Sequence, residues 1–317
     1  MELLKKLTEE SGVSGRENKV AKLIISHIEK YCDNYHIDAL GNLIVRKGNG
    51  GKKVLVLAHM DEIGIIITHK DEKGFLRFSA VGGVRAKDLC GRRVQFENGT
   101  NGVIWSEDNN DKNDIAKLYV DTMGLGNINV GDTAVFVGDY YENGDMIVSK
   151  ALDNRVGCYV AIEALKKLQD TSNELYFVFT VQEEVGLRGS KTASYQVDAD
   201  VALAIDVTAT GDTPSCTPME VKLGGGAAVK VMDRSIICHS EIRNGLVNAA
   251  KSNKIPYQME ILTFGGTDAG SAHLSGTGIK TGAISVPTRY IHSPSECVSK
   301  RDIKSCIDLA VCYIKSI

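Results

Sequence analysis

Val54-Leu-Val-Leu-Ala58 runs directly into His59-Met-Asp61-Glu62. An unbroken apolar run with no polar alternation predicts a strand buried on both faces, as in a parallel sheet covered by helices. The residues that end it are of metal-ligand type. The same arrangement recurs three times. Leu175-Tyr-Phe-Val-Phe-Thr-Val181 leads into Gln182-Glu183-Glu184, Val201-Ala-Leu-Ala-Ile205 into Asp206, and Ala283-Ile-Ser-Val286 into Pro287-Thr-Arg-Tyr-Ile-His292. In open α/β sheets, ligands bind outside the carboxyl ends of the strands. These side chains, distant in sequence, are therefore expected to meet in one crevice. A fifth acid, Asp153 in Ala151-Leu-Asp-Asn-Arg155, stands at the mouth of a predicted helix.

Working outward, helical patterns at about 154–168, at about 240–253 and from about Lys300 separate the strands. This alternation predicts an α/β fold with a mostly parallel sheet flanked by helices. Near the N-terminus, Ser14-Gly-Arg-Glu17 reads as a capping box. The helix it opens carries Val20, Leu23, Ile24 and Ile28 on one face, and a strand-like stretch, His36 to Arg46, follows. From about Ile67 to Val148 the pattern changes. Short β-branched and aromatic runs alternate with turn signals at 71–74, 97–99, 108–111 and 142–144. A small all-β domain over 67–148 is expected, inserted into one discontinuous domain made of residues 1–66 and 149–317.

Composition narrows the partners. A net charge of −3 with no basic stripe argues against nucleic acid. Apolar runs as short as Val54–Ala58 cannot span a bilayer, and the first residues lack the apolar stretch of a signal peptide. The eight cysteines show no paired spacing, so they read as reduced thiols. A cytoplasmic location is expected, with neither membrane nor nucleic acid as partner.

Imidazoles with carboxylates and no thiolate form a borderline-to-hard ligand set, suited to zinc, cobalt or manganese. Two divalent ions are formally balanced by three carboxylates and one hydroxide, the arrangement of a two-metal hydrolase. Each ion would hold one imidazole and one terminal carboxylate and share a third. Asp61, two residues beyond His59, lies on the same side of an extended chain and can orient the imidazole. Glu183 and Glu184 are adjacent and cannot share a role, so one would bind metal while the other accepts a proton. Singly, each residue has a plain explanation as a loop histidine, a turn former or solvated surface. Their joint placement on one sheet edge argues for a site. His27, His36, His69 and His239 have no such setting. Leu223-Gly-Gly-Gly226 reads as a turn, since no Lys-Ser/Thr follows to make a phosphate loop.

His59-Met-Asp-Glu-Ile-Gly64, Ala151-Leu-Asp-Asn-Arg155, Gln182-Glu-Glu-Val-Gly186, Ile205-Asp-Val-Thr208, Gly265-Gly-Thr-Asp-Ala-Gly270 and Arg289-Tyr-Ile-His-Ser-Pro294 resemble the motifs of the glutamyl and deblocking aminopeptidases that form tetrahedral particles. Some relatives in that family have been described as endoglucanases. The resemblance runs in order from about residue 5 to the C-terminus. It implies His59 and His292 as terminal ligands, one on each metal, with Asp153 as the bridge. Glu184 and Asp206 become the remaining carboxylates, Glu183 the general base, and Asp61 the partner of His59. It further implies removal of the N-terminal residue from peptides with a free α-amine, and dimers, paired through the inserted domain, that assemble into a tetrahedral dodecamer. Asp268 and Arg289 are candidates for substrate contact, although an Asp after Gly-Gly-Thr equally suits a helix cap. One departure is that Gly82-Gly-Val-Arg-Ala-Lys87 lacks the aromatic residue expected after the paired glycines. It bears on subunit contacts and substrate preference.

Two other readings compete. A glycoside hydrolase needs two opposed carboxylates and usually no metal, which leaves His59 and His292 unexplained. A metal-stabilised binding protein without catalysis could keep the ligands but would have no use for Glu183.

Overall fold

The computed structural model describes residues 1–107 and 113–317, so the turn expected at 108–111 lies outside the described residues. The chain opens with helices α1 (Glu2–Glu9) and α2 (Asn18–Ile28), strands β1 (Asn34–Ile37) and β2 (Leu43–Lys47), and the buried strand β3 (Lys53–His59). Strands β4 (Gly64–Lys70), β5 (Leu76–Val81), β6 (Arg93–Phe96), β7 (Asn101–Ser106), β8 (Leu118–Asp121) and β9 (Thr133–Phe136) then close into a small barrel. The chain returns through β10 (Tyr141–Asn143) and β11 (Met146–Ser149) to α3 (Leu152–Lys167), β12 (Glu174–Thr180), α4 (Arg188–Val197) and β13 (Val201–Thr208). The remainder holds β14 (Ala227–Met232), α5 (Ser240–Ser252), β15 (Tyr257–Ile261), the single turn α6 (Ala269–Ala272), β16 (Lys280–Arg289), β17 (Glu296–Ser299) and α7 (Lys300–Ser316).

The fold is α/β, with a large mixed sheet in the order β1-β2-β12-β3-β13-β16-β17-β11-β10, and β14 and β15 attached through β16. Its four middle strands, β12, β3, β13 and β16, are parallel. The flanks are antiparallel. Alternation within β3 divides the core in two. Val54, Val56 and Ala58 pack into the cluster formed with α1, α2, α3, α5 and α7, whereas Leu55 and Leu57 face α4 and α6. With helices on both faces, the strand tolerates no polar residue until its end, which is why its sequence is unbroken and apolar.

Several local expectations are revised. The stretch from His36 to Arg46 is a hairpin rather than one strand. The Asp38 carboxylate accepts the N–H groups of Leu40, Gly41 and Asn42, each at 2.9 Å, and Gly41 takes φ +111°. The capping box does not form, for α2 starts with no side-chain cap. Ser14 Oγ instead donates to Asp61 Oδ2 at 2.6 Å, and Glu17 Oε1 accepts the N–H groups of Gly15 and Gln182 at 2.7 and 3.1 Å. The barrel spans Gly64 to Phe136. The hairpin β10–β11, which the 67–148 segment takes in, pairs with β17 of the large sheet, because Ile147 is buried in the main core. The triple-glycine segment is a turn, with Gly224 and Gly226 donating to the Asp302 carboxylate at 2.7 Å each.

Among the described residues, no helix is long and apolar enough to cross a membrane. The eight cysteines, all described, form no disulfide.

Candidate metal centre

The parallel register places Thr180, at the end of β12, opposite His59, and β13 lies on the other side of β3. The loops leaving these strands carry residues in left-handed backbone. Gln182 (φ +56°) precedes Glu183, Ala151 (φ +54°) lies just ahead of Asp153, and His292 itself has φ +62°. Such a conformation costs a non-glycine residue about 1–2 kcal/mol and persists where the surroundings over-determine it. Here they do. The Asp61 carboxylate accepts the N–H groups of Glu183 and Glu184 at 3.0 and 3.2 Å. Glu296, buried at the start of β17, accepts the N–H of Asp153 on one oxygen and that of His292 on the other, both at 2.8 Å.

Two groups of ligand-type side chains result, His59–Glu183–Asp206 and Asp153–Glu184–His292, with the candidate donor atoms of each lying within 4.8 Å of one another. His59 Nε2 lies 3.1 Å from Asp153 Oδ1 and 3.6 Å from Asp206 Oδ1. His292 Nε2 lies 3.3 Å from Asp153 Oδ2 and 3.2 Å from Glu184 Oε2. Asp153 thus presents one oxygen to each imidazole. The opposite ring nitrogens are anchored by backbone carbonyls: Nδ1 of His59 by Asp61 at 3.1 Å, and Nδ1 of His292 by Gly83 at 3.1 Å. With Nδ1–H donating outward, Nε2 is the nitrogen that each ring turns toward its cluster, available to a cation once its proton is displaced.

The expected residues fare differently. His59, Asp153, Glu183, Glu184, Asp206 and His292 all line one cavity of about 510 Å³. Asp61 stands beside His59, but it holds the ring through its backbone carbonyl, with Oδ1 farther off at 3.5 Å. Its carboxylate is taken up by the Glu183 and Glu184 amides and by Ser14. Asp268 does not line the cavity. It is buried at the start of α6 without capping it, and its Oδ2 accepts the Thr180 hydroxyl at 2.5 Å. Arg289 also points elsewhere, its guanidinium forking Asp212 at 3.0 and 2.8 Å. An ion pair with a well-placed carboxylate holds it off the cavity wall.

Glu296, Gly83, Ser14 and Glu17 were not singled out for the site, and none sits in a pattern that announces its role. Glu62 and Arg155 do lie in the quoted motifs. Lys150 Nζ donates to both Glu62 oxygens at 2.8 and 2.7 Å, and Arg155 Nε donates to the Met60 carbonyl at 2.6 Å. This buried network ties the end of β3 to the entry of α3.

Electrostatics tests whether cations belong here. Burial, reinforced by Asp153 and Asp268 and opposed by His59, pushes Asp206 up to about 7. Glu183 is raised well above the usual carboxylate range by burial, and Asp206 and Asp268 add to the rise. Burial disfavours the His292 cation, yet hydrogen bonds to Asp153 and Glu184 reverse this and hold it up to about 12. The two groups contain four carboxylates and two imidazoles, and the buried Oε1 of Glu184 has no hydrogen-bond partner. Carboxylates crowded together and pushed by burial toward the protonated form, one of them with an orphaned oxygen, are groups that bound cations would hold ionised. The nitrogen and oxygen donors suit zinc, cobalt or manganese. The residues fit a metal centre.

Paired histidine–carboxylate clusters at the strand ends of an α/β sheet define a metal-dependent hydrolase. Residues 41–309 match the model of the M42 glutamyl aminopeptidase family, and the chain belongs to that family. It is a metallo-aminopeptidase, a hydrolase. A chain of Acetivibrio thermocellus, whose name proposes an aminopeptidase, is 53% identical over 98% of this chain and 97% of its own length. An aminopeptidase structure from the archaeon Desulfurococcus kamchatkensis superposes with a TM-score of 0.95 at 38% identity, covering 100% of this chain and 94% of its own. The TET1 peptidase of Pyrococcus horikoshii, described as assembling into a tetrahedron or a large octahedral shell, superposes at 0.90 with 34% identity, over 100% of this chain and 99% of its own.

Proposed function

We propose that this chain removes the N-terminal residue from peptides with a free α-amine, with two divalent ions held by His59 and Asp206 on one side, by His292 and Glu184 on the other, and by Asp153 between them. The observation that carries this reading is Asp153, whose two oxygens face the two imidazoles at 3.1 and 3.3 Å. Divalent ions held there supply Lewis acidity toward a carbonyl oxygen and make water more acidic. Glu183 accepts the proton of the attacking water and returns it to the leaving amine. Asp61 keeps Glu183 in place through its backbone N–H. The crevice carboxylates attract the substrate ammonium and set the first residue in register. Apolar walls from Leu187, Leu262, Phe264 and Ile291 suit its side chain.

Register matters because a displacement of about 1 Å can cost on the order of 100-fold in rate. The test compares a leucyl chromogenic substrate with its N-acetyl form on the same metal-loaded enzyme. The free form should be cleaved at least 100-fold faster, and chelation should abolish cleavage until zinc, cobalt or manganese is restored. Equal cleavage of both forms would leave only a general metallohydrolase. The endoglucanase reading leaves His59 and His292 without a role.

Oligomerisation through the barrel is part of this proposal. The TET1 relative assembles into closed shells, and the barrel exposes Trp105, Met123, Leu125 and Val130, apolar side chains suited to burial against a second copy. Sedimentation of the full chain as a multiple of its 34.3 kDa mass, and as smaller particles once the barrel is excised, is the expected result. Free thiols fit a reducing cytoplasm.

A further inference from the structure

A second cavity, of about 310 Å³, adjoins the catalytic one, and Arg85 and His292 line both. Phe136, Tyr290 and Pro294 supply its apolar walls, and Arg92 stands at its edge. The turn that carries Arg85 is pinned to the metal cluster. The Gly83 carbonyl accepts from His292 Nδ1 at 3.1 Å. Gly82 takes φ +81°, and a Cβ there would meet Ile63 at 2.7 Å. Arg85 is thereby held at the boundary between the two cavities.

The cavities differ in charge. The catalytic one is lined by Asp153, Glu183, Glu184 and Asp206, and the second by two guanidiniums against one carboxylate, Asp88. Asp88 takes Arg85 Nε on one oxygen at 2.8 Å, and its backbone carbonyl takes Arg92 Nε at 3.0 Å. Each guanidinium has five N–H donors in a fork that fits carboxylate, and Arg85 remains 63% exposed. Because His292 and Arg85 line both cavities, the way past His292 offers a peptide whose ammonium sits in the acidic crevice a path for its remaining residues. An extended chain advances about 3.5 Å per residue, so on that path the residues just after the scissile bond are the ones that would reach the second cavity.

Resting on the aminopeptidase reading above, we propose that this second cavity is the subsite for the leaving portion of the peptide, where Arg85 and Arg92 recognise a carboxylate. That carboxylate is the C-terminus of a di- or tripeptide or an acidic side chain just after the scissile bond.

The test is a set of ratios of kcat/KM on the metal-loaded enzyme. Leu-Ala against Leu-Ala-amide reports the terminal carboxylate, and Leu-Glu-amide against Leu-Gln-amide reports the side chain. Exposed ion pairs are individually weak, so a preference of roughly fivefold is expected in at least one ratio. It should be carried mainly by KM and should shrink as salt is raised. In the doubly substituted R85Q/R92Q enzyme that ratio should fall to about one, with an unchanged melting temperature. Ratios near one in the wild type, or a preference that survives the double substitution, would overturn the inference while leaving the aminopeptidase reading intact. A double substitution that shifts preference for the first residue instead of the second would also overturn it. Failure of the wild type to cleave any of the four peptides, and of the same four with Glu or Lys in place of the leading Leu, would overturn the aminopeptidase reading and this subsite with it.

Discussion

The carboxylate of Asp61 accepts the backbone N–H of Glu183 at 3.0 Å and, on its other oxygen, that of Glu184 at 3.2 Å. A residue following β3 therefore sets the position of the acid pair following β12. Replacing Asp61 with Asn turns one acceptor into an N–H donor facing another N–H. Turnover should fall by roughly 10- to 100-fold, the usual cost of losing a supporting partner behind a metal site. Steady-state kinetics with metal analysis checks this, and an unchanged kcat would show that the pair holds itself in place.

Glu183 and Glu184 should respond differently to the same isosteric change. Glu183→Gln keeps the shape but removes the proton acceptor, so kcat should drop by roughly 100-fold or more with metal content near normal. Glu184→Gln should lower metal content instead. Elemental analysis of both variants decides the matter, and the reverse pattern would exchange the two roles.

Gly83→Ala should act on the metal centre from within the barrel. A Cβ at this position would stand 2.3 Å from His292 Nδ1, so the imidazole must move and loses its carbonyl anchor. Metal affinity on the His292 side should weaken by roughly 10- to 100-fold while the His59 side is retained. Stepwise competition with a chelator reads this out, with the melting temperature as a control for folding. Two affinities equal to those of the wild type would contradict it.

Glu17 makes a pH-dependent contribution to stability. Burial first, then the nearby Asp61 charge, push its carboxyl from 4.5 up to about 7. A group whose folded pKa is raised stabilises the protein below the unfolded value, and that contribution is lost as pH rises through the folded one. The contribution of Glu17 should therefore be lost between about pH 4.5 and 7, amounting to at most on the order of 3 kcal/mol. Both hydrogen bonds to Glu17 end on the same oxygen, so Glu17→Gln keeps them while removing the titration. After chelation, the stability of the variant relative to wild type should rise across this window and level off above it. A flat difference in denaturant midpoints would show that Glu17 titrates normally.

Much of the site is legible in the amino-acid sequence. The apolar runs of β3 and β13 mark strands covered on both faces, and the polar residues that end them, His59 and Asp206, line the cavity although both are buried. Parallel pairing then forces the ends of β3, β12, β13 and β16 onto one edge. The first is a local consequence of hydrophobic periodicity, and the second follows from the general geometry of parallel α/β sheets. The six cavity-lining candidates, His59, Asp153, Glu183, Glu184, Asp206 and His292, were found in this way and by the motifs that contain them.

Tertiary structure alone decided which polar partner each side chain takes. Ser14 and Glu17 have the spacing of a capping box, yet Ser14 donates to Asp61 and Glu17 accepts the Gln182 amide, partners that only folding brings to them. Arg289 sits in a site motif but pairs with Asp212. Glu296 holds the Asp153 and His292 amides without any sequence signal, and Gly83 reaches His292 across 209 residues. A hydrogen bond is decided by a few tenths of an ångström between groups, and no local pattern encodes the relative placement of segments that far apart. The sequence alone determined the strands and the ligand types at their ends; packing chose the bonds that orient those ligands.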